Sequence, residues 1–133
     1  MEPIYNKNTN VWIIDDSYNW NIESVKSTSE FLKNINHNWR KIYLSPWLVE
    51  LWEKASDIHK QVWEILSWVV DVFLLIENAY TKDIIYWLEK WWFKNEENIK
   101  IYKTTNEAHD DLKNILKSWD LIVFQNDWTD NYF

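Results

Sequence analysis

The stretch Val11-Trp12-Ile13-Ile14-Asp15-Asp16-Ser17-Tyr18-Asn19-Trp20-Asn21 is where the fold of this chain is first readable. An apolar run of strand length ends in two acids, a phenol and two amides, and a helical pattern follows directly. Val11–Asp16 reads as a buried strand. Ile22–Ile35 reads as a helix with Ile22, Val25, Leu32 and Ile35 on one side and Asn21 as its N-cap. Two carboxylates emerging with a phenol and amides suit a nucleoside: the ribose offers hydroxyls to carboxylates, and adenine offers a face to a ring and edges to an amide. The same residues also make an ordinary polar strand-to-helix loop.

Outward from this stretch, the elements alternate. Lys41–Leu44 is a short strand closed by Ser45-Pro46-Trp47. Leu48, Leu51, Ala55, Ile58, Val62 and Ile65 recur at three- and four-residue steps, an amphipathic helix. Val70–Ile76 is an apolar run of strand length, and Ala79–Lys90 is helical with Ile84, Ile85 and Leu88 inward. Ile99–Tyr102 is a strand. Asn106–Lys117 is a helix with Ala108, Leu112, Ile115 and Leu116 inward and Thr105 or Asn106 capping it. Leu121–Phe124 is the last strand, and 125–133 is a polar tail. Strand–helix alternation of this kind predicts an α/β fold, a doubly wound, mostly parallel sheet with helices on both faces. Ligands in such sheets bind beyond the carboxyl ends of the strands. That rule places 15–21, 45–53, Glu77-Asn78 and 125–130 along one edge. The opening residues 1–10 read as a linker, and 11–133 as the domain.

Length and charge bound the function. The 133 residues suffice for one domain and one core. A formal net charge of −7 argues against a nucleic-acid binder, which normally carries a basic patch. There is no Cys, so disulfides and Cys-ligated metals are excluded, in keeping with a reducing cytosol. The longest apolar stretch, Val69–Ile76, is broken by Asp71 and too short to span a bilayer, so no membrane is expected.

Tryptophan and glycine are anomalous. Glycine is absent, where an ordinary composition of about 7% would place several, and tryptophan occurs 12 times. Six tryptophans follow residues that pair with glycine in turns: Asn19-Trp20, Asn38-Trp39, Pro46-Trp47, Ser67-Trp68, Ser118-Trp119 and Asp127-Trp128. Trp91-Trp92 closes the helical run ending Leu88-Glu89-Lys90, where glycine stops a helix. Trp12, Trp52, Trp63 and Trp87 lie inside predicted elements. The pattern leads to the expectation that these positions are glycine in the natural protein, UGA having been decoded as tryptophan. Several rings placed there should lie on the surface near loops, since a natural core would leave them no room. The other reading is a tryptophan-rich chain whose aromatics bind carbohydrate or membrane.

Other chemistry finds little support. With glycine restored, Trp47–Lys54 is a near miss to a phosphate loop, but lacks its Gly-Lys-Ser/Thr ending. His37, His59 and His109 have no metal-ligand spacing and read as surface residues, so no metal site is assigned. No Ser–His or Cys–His pair suggests a nucleophile, and no catalytic residue is assigned. Glu50, Glu53 and Lys54 read as a solvated helix face.

With glycine at the tryptophan positions, Ile13–Asn21 becomes Ile-Ile-Asp-Asp-Ser-Tyr-Asn-Gly-Asn. This resembles the opening of the Rossmann-like C-terminal domain of Mur ligases, in the branch that adds D-alanyl-D-alanine. Its pattern is Asp-Asp-Ser/Thr-Tyr-Asn-Ala-Asn-Pro. Ser45-Pro46-Trp47-Leu48-Val49-Glu50-Leu51-Trp52-Glu53 is similar to the Thr-Pro-Gly-Leu-Val-Glu-Leu-Gly-Glu of that branch. Ser118–Phe124 resembles its Pro-Gly-Asp-Val-Val-Leu-Phe strand, and Asn126–Tyr132 its Asn-Asp-Leu-Pro-Asp-Asn-Tyr ending. Ile22 departs from the family's Pro, and Trp128-Thr129 from its Leu-Pro.

The resemblance covers nearly the whole chain and implies a function. The family's full enzyme joins D-alanyl-D-alanine to a UDP-N-acetylmuramoyl-tripeptide in cytoplasmic peptidoglycan precursor synthesis, using ATP to form an acyl phosphate. The resemblance further implies that the phosphate loop and the magnesium ligands lie in a central domain outside this sequence, and the UDP-sugar site in an N-terminal domain. Those two domains are then this chain's partners. Met1-Glu2-Pro3-Ile4 resembles the link from the central domain, which makes Met1 an internal methionine and the chain a fragment, inactive alone. Carried over, Asp16, Tyr18, Asn19 and Asn21 bind the nucleotide. Ser45, Glu50 and Asn126 face the dipeptide or the interdomain cleft. The competing reading from another class is a stand-alone nucleotide- or partner-binding module.

Overall fold

Strand runs rich in Ile, Val, Leu and Phe, separated by amphipathic stretches, build a layered α/β structure. The computed structural model describes residues 3–16, 22–35, 40–45, 55–77, 81–94 and 96–125. In chain order the elements are β1 (Ile4–Asn6), β2 (Val11–Asp16), α1 (Ile22–Asn34), β3 (Lys41–Ser45) and α2 (Ala55–Ser67). They continue with β4 (Val72–Ile76), α3 (Thr81–Trp91), β5 (Ile99–Tyr102), α4 (Thr105–Ile115) and β6 (Leu121–Gln125). One sheet holds all six strands in the order β1-β2-β6-β3-β4-β5. Every pairing from β2 to β5 is parallel, and β1 runs antiparallel to β2.

The topology explains which face each helix takes. The connections through α1, α2 and α3 step in one direction across the sheet, and the connection through α4 steps back to insert β6 between β2 and β3. Crossovers between parallel strands are right-handed, so reversing direction moves the helix to the other face. Val25 and Leu32 of α1, Leu66 of α2, and Ile84 and Leu88 of α3 pack with Ile14, Tyr43, Phe73, Ile99 and Val123. On the opposite face Ala108, Leu112 and Ile115 of α4 pack with Ile13, Ile42, Leu44, Leu74, Ile122 and Phe124. Strands therefore deliver alternate residues to two cores, and β4 is buried at all five positions.

Several expectations need correction. The opening segment, read as a linker, contributes β1, whose Ile4 pairs with Ile13. Three residues carry little periodicity, and the hairpin loop that joins β1 to β2 is built from Asn instead of glycine. Asn6 Oδ1 accepts from the Asn8 and Thr9 amides at 2.9 and 3.1 Å, and Asn10 takes a left-handed φ of 56°. Helix α4 is capped by Thr104, not Thr105 or Asn106. Its hydroxyl accepts from the Glu107 amide at 3.1 Å, while the Glu107 carboxylate accepts from the Lys103 amide. In α2 the buried residues include Trp63 and Leu66, with Ile65 half-buried. His109, read as a surface residue, is buried against Phe124 because it lies on the inward side of α4 with Ala108 and Leu112. Among the described residues no helix is long and apolar enough to cross a membrane.

The amino edge of the parallel strands is held by one ion pair. Asp120, 4% exposed, accepts from Arg40 Nη2 at 2.7 Å and Nε at 3.3 Å, and from the Lys117 amide at 2.8 Å. Arg40 Nη2 also donates to the Ile115 carbonyl at 2.7 Å. Replacing Arg40 by Met leaves a buried carboxylate without its cation and should cost about 3 kcal/mol, the low end of the range for broken buried pairs because Arg40 is partly solvated. Urea unfolding measures it, and a loss below about 1 kcal/mol, the typical worth of an exposed pair, would show that the pair is merely superficial.

Candidate functional site

Because β2, β6, β3, β4 and β5 run parallel, their carboxyl ends share one edge of the sheet. The register fixes the neighbours. Asp15 lies opposite Phe124, and Phe124 is opposite Leu44; Asp16 lies opposite Gln125. Ser45 is level with Leu75, and Ile76 with Tyr102. Beyond β4, the Glu77 amide donates to the Tyr102 carbonyl at 2.7 Å, which carries the edge one residue further. Asp15 and Glu77 are both exposed.

Of the residues assigned from sequence, Asp16 closes β2 and Ser45 closes β3, on strands separated only by β6. Tyr18, Asn19, Asn21, Glu50 and Asn126 lie outside the described residues. So does Trp47–Lys54, the rejected phosphate-loop match. Among the described residues no group of three or more His, Cys, Asp or Glu could hold a metal ion.

One feature of this edge was not anticipated. The Tyr102 hydroxyl donates to Asp111 Oδ2 at 2.6 Å, and Asn114 Nδ2 donates to Asp111 Oδ1 at 3.0 Å. Burial of the phenol, reinforced by the hydrogen bond and the charge of Asp111, pushes the Tyr102 pKa far up, so the phenol stays protonated. The hydrogen bond from Tyr102 holds Asp111 below its ordinary carboxylate range, helped by Asn114 and the charge of Lys100. The sequence signal is slight: a Tyr at a strand end and an Asp on the next helix, nine residues on.

Of the side chains described at this edge, Asp15 and Glu77 are exposed carboxylates and Lys103 is an exposed cation at its far margin.

This geometry defines a class: a Rossmann-like α/β domain with a six-stranded, mostly parallel sheet, the fold of Mur ligase C-terminal domains. Among solved structures it is similar to a MurF ligase from Thermotoga maritima in complex with ADP, with a TM-score of 0.65 and 21% identity over 92% of this chain. It is also similar to MurF from Acinetobacter baumannii, with a TM-score of 0.70 and 18% identity over 93% of this chain. The chain spans 26% of the length of each of these two proteins. A domain from a candidate UDP-N-acetylmuramate:L-alanyl-γ-D-glutamyl-meso-diaminopimelate ligase of Haemophilus ducreyi matches with a TM-score of 0.55 and 10% identity, covering 82% of that chain. At these identities the likeness is one of fold. No family model and no curated protein matches the sequence.

Tyr102→Phe should destabilise the domain by about 1 kcal/mol at neutral pH, the usual net worth of one hydrogen bond. Since the folded state lowers the Asp111 pKa, this contribution is full above the ordinary carboxylate range and is lost as pH falls through the depressed value. Urea midpoints of the two proteins should converge in acid. A gap that persists there would mean that the phenol acts by packing alone.

Proposed function

We propose that the chain is the C-terminal domain of an ATP-dependent amide ligase that adds D-alanyl-D-alanine to a UDP-N-acetylmuramoyl-tripeptide. The observation that carries the reading is the edge at the carboxyl ends of β2, β6 and β3. It sets Asp15, Asp16, Gln125 and Ser45 on neighbouring strands, in a fold shared with MurF ligases.

In this reading the domain closes over an ATP site whose phosphate loop and magnesium ligands belong to a central domain. ATP supplies the phosphoryl group that activates the tripeptide's carboxylate. This chain's own residues bind and orient. Asp16 accepts from the ribose hydroxyls, Tyr18 stacks on adenine, and Asn19 and Asn21 read its edges. Ser45, Glu50 and Asn126 face the incoming dipeptide, whose amine a carboxylate such as Glu50 can hold by a charge-assisted hydrogen bond. The exposed carboxylates of Asp15 and Glu77 at this edge support this division of labour: they suit the nucleoside end of ATP and leave the phosphates to the central domain. The partners are the central and N-terminal domains, and UDP-linked substrates with ATP place the work in the cytoplasm.

The test uses the intact polypeptide that carries this domain. Asp16→Ala and Asn21→Ala should each raise the KM for ATP by about tenfold, the equivalent of one hydrogen bond of ~1.4 kcal/mol. Glu50→Ala should instead raise the KM for D-alanyl-D-alanine. The separate chain should ligate nothing. Unchanged ATP dependence in both nucleotide-side variants, or ligation by this chain alone, would remove the proposal.

A further inference from the structure

We infer that the natural polypeptide carries glycine where this sequence has tryptophan, its own cell reading UGA as glycine. The inference is independent of the ligase reading and rests on backbone geometry and composition.

Two tryptophans occupy backbone motifs made for glycine. Helix α3 ends in a Schellman arrangement: the Phe93 amide donates to the Leu88 carbonyl at 3.3 Å, and both side chains are buried. The residue between helix and Phe93 is Trp92, at φ 145°. That is the C′ position, where glycine is the usual occupant because a Cβ is penalised. The second case precedes β6. The Asp120 amide donates to the Lys117 carbonyl at 3.1 Å, closing a four-residue turn with Ser118 and Trp119 in the middle. Trp119 has φ 76°, and Ser118 is not among the positive-φ residues. This is the type II arrangement, whose third residue is characteristically glycine. Of the four described residues with positive φ, two are tryptophan, beside Asn10 and Glu96. Asn enters this region readily; a large aromatic does not.

Several of the rings are exposed, although Trp92 stacks on Phe93 at a centroid distance of 4.0 Å and Trp119 on Tyr5 at 5.8 Å. Trp68 is 74% exposed and Trp119 46%, while Trp91 and Trp92 are also exposed. Trp68 and Trp91 touch each other at a centroid distance of 5.6 Å, leaving an indole patch at the ends of α2 and α3. Trp12 and Trp63 bury indole N–H groups for which no acceptor is present. Trp63 is the counter-case to the expectation that the core has no room. It is 2% exposed and packs edge-on against Tyr43 and Phe73. With glycine at 63, α2 could approach the sheet more closely, as glycine permits at a backbone contact.

Composition points the same way. Amino acids whose codons begin with two G or C bases are scarce: no Gly, three Ala and two Pro. Those whose codons begin with two A or T bases abound, with 15 Asn, 13 Lys and 15 Ile. Such a composition points to a gene rich in A and T, in which both GGN and UGG codons are disfavoured. Twelve tryptophans contradict that bias, whereas glycine encoded by UGA satisfies it and also accounts for the missing glycine.

The decisive measurement is peptide mass spectrometry of the protein from its own cell, together with the codons of its gene. The expected result is UGA at the tryptophan sites, with fragments spanning positions 92 and 119 lighter by the difference between an indolylmethyl group and a hydrogen. UGG codons, or a tryptophan mass at either site, would overturn the inference. As a second readout, Trp92→Gly with Trp119→Gly should raise the Tm of the tryptophan form by roughly 3–6 °C, since each relieved left-handed strain is worth a few degrees in a domain of this size. Equal or lower melting would count against it.

Discussion

Asp120 joins three segments that are distant in sequence, and the arrangement of the candidate site depends on that junction. Its carboxylate holds the guanidinium of Arg40 at the start of β3 and the amide of Lys117 after α4. Its carbonyl accepts from the Trp12 amide in β2 at 2.8 Å, and the adjoining Leu121 amide donates to the Arg40 carbonyl at 2.9 Å. The last strand is thereby pinned between β2 and β3 at the amino edge. Strands of five or six residues have no slack, and a slip of one would send every side chain to the wrong face. The residues that emerge at the carboxyl edge, Asp16 beside Gln125 and Ser45 one strand away, are thus set from the opposite end of the sheet.

That edge has a consistent chemical character. Asp15 and Glu77 are carboxylates in solvent, and the neighbouring Tyr102 phenol is committed to Asp111. The whole chain carries a net charge of −7. Exposed carboxylates at this edge give it a negative potential, which favours cations and hydrogen-bond donors. The fold itself recurs as about a quarter of the length of two MurF ligases.

Most of the layered architecture was legible because its signals are strong and local. Val11–Asp16 and Ile99–Tyr102 fall at the expected residues, since an apolar run bounded by polar groups leaves little choice. Strand β1 was not legible: three residues have no period, and its place depends on pairing with Ile13. The order of the strands was equally hidden, because the return of α4 to place β6 between β2 and β3 is a long-range choice. The roles of Arg40 and Asp120 were hidden for the same reason, 80 residues separating the partners. His109 was misjudged because polarity was weighed above its position on the α4 stripe. At the site, the residue types and the strand ends were readable, because both follow from the local pattern.

The strained turns bear on how firmly this edge is held. A side chain forced to positive φ costs on the order of 1–3 kcal/mol, and an indole N–H buried without an acceptor costs about 1–3 kcal/mol more. Trp92 and Trp119 carry such strain, and Trp12 and Trp63 bury N–H groups without an acceptor. Trp119 is the most exposed to this argument, for its amide donates to the Asn10 carbonyl at 2.6 Å and its neighbour is Asp120. Strain at that turn is applied directly to the junction that registers β6. A bare Cα at 119 would let the turn close without cost, and the alignment of Asp16, Gln125 and Ser45 would then rest on an unstrained anchor.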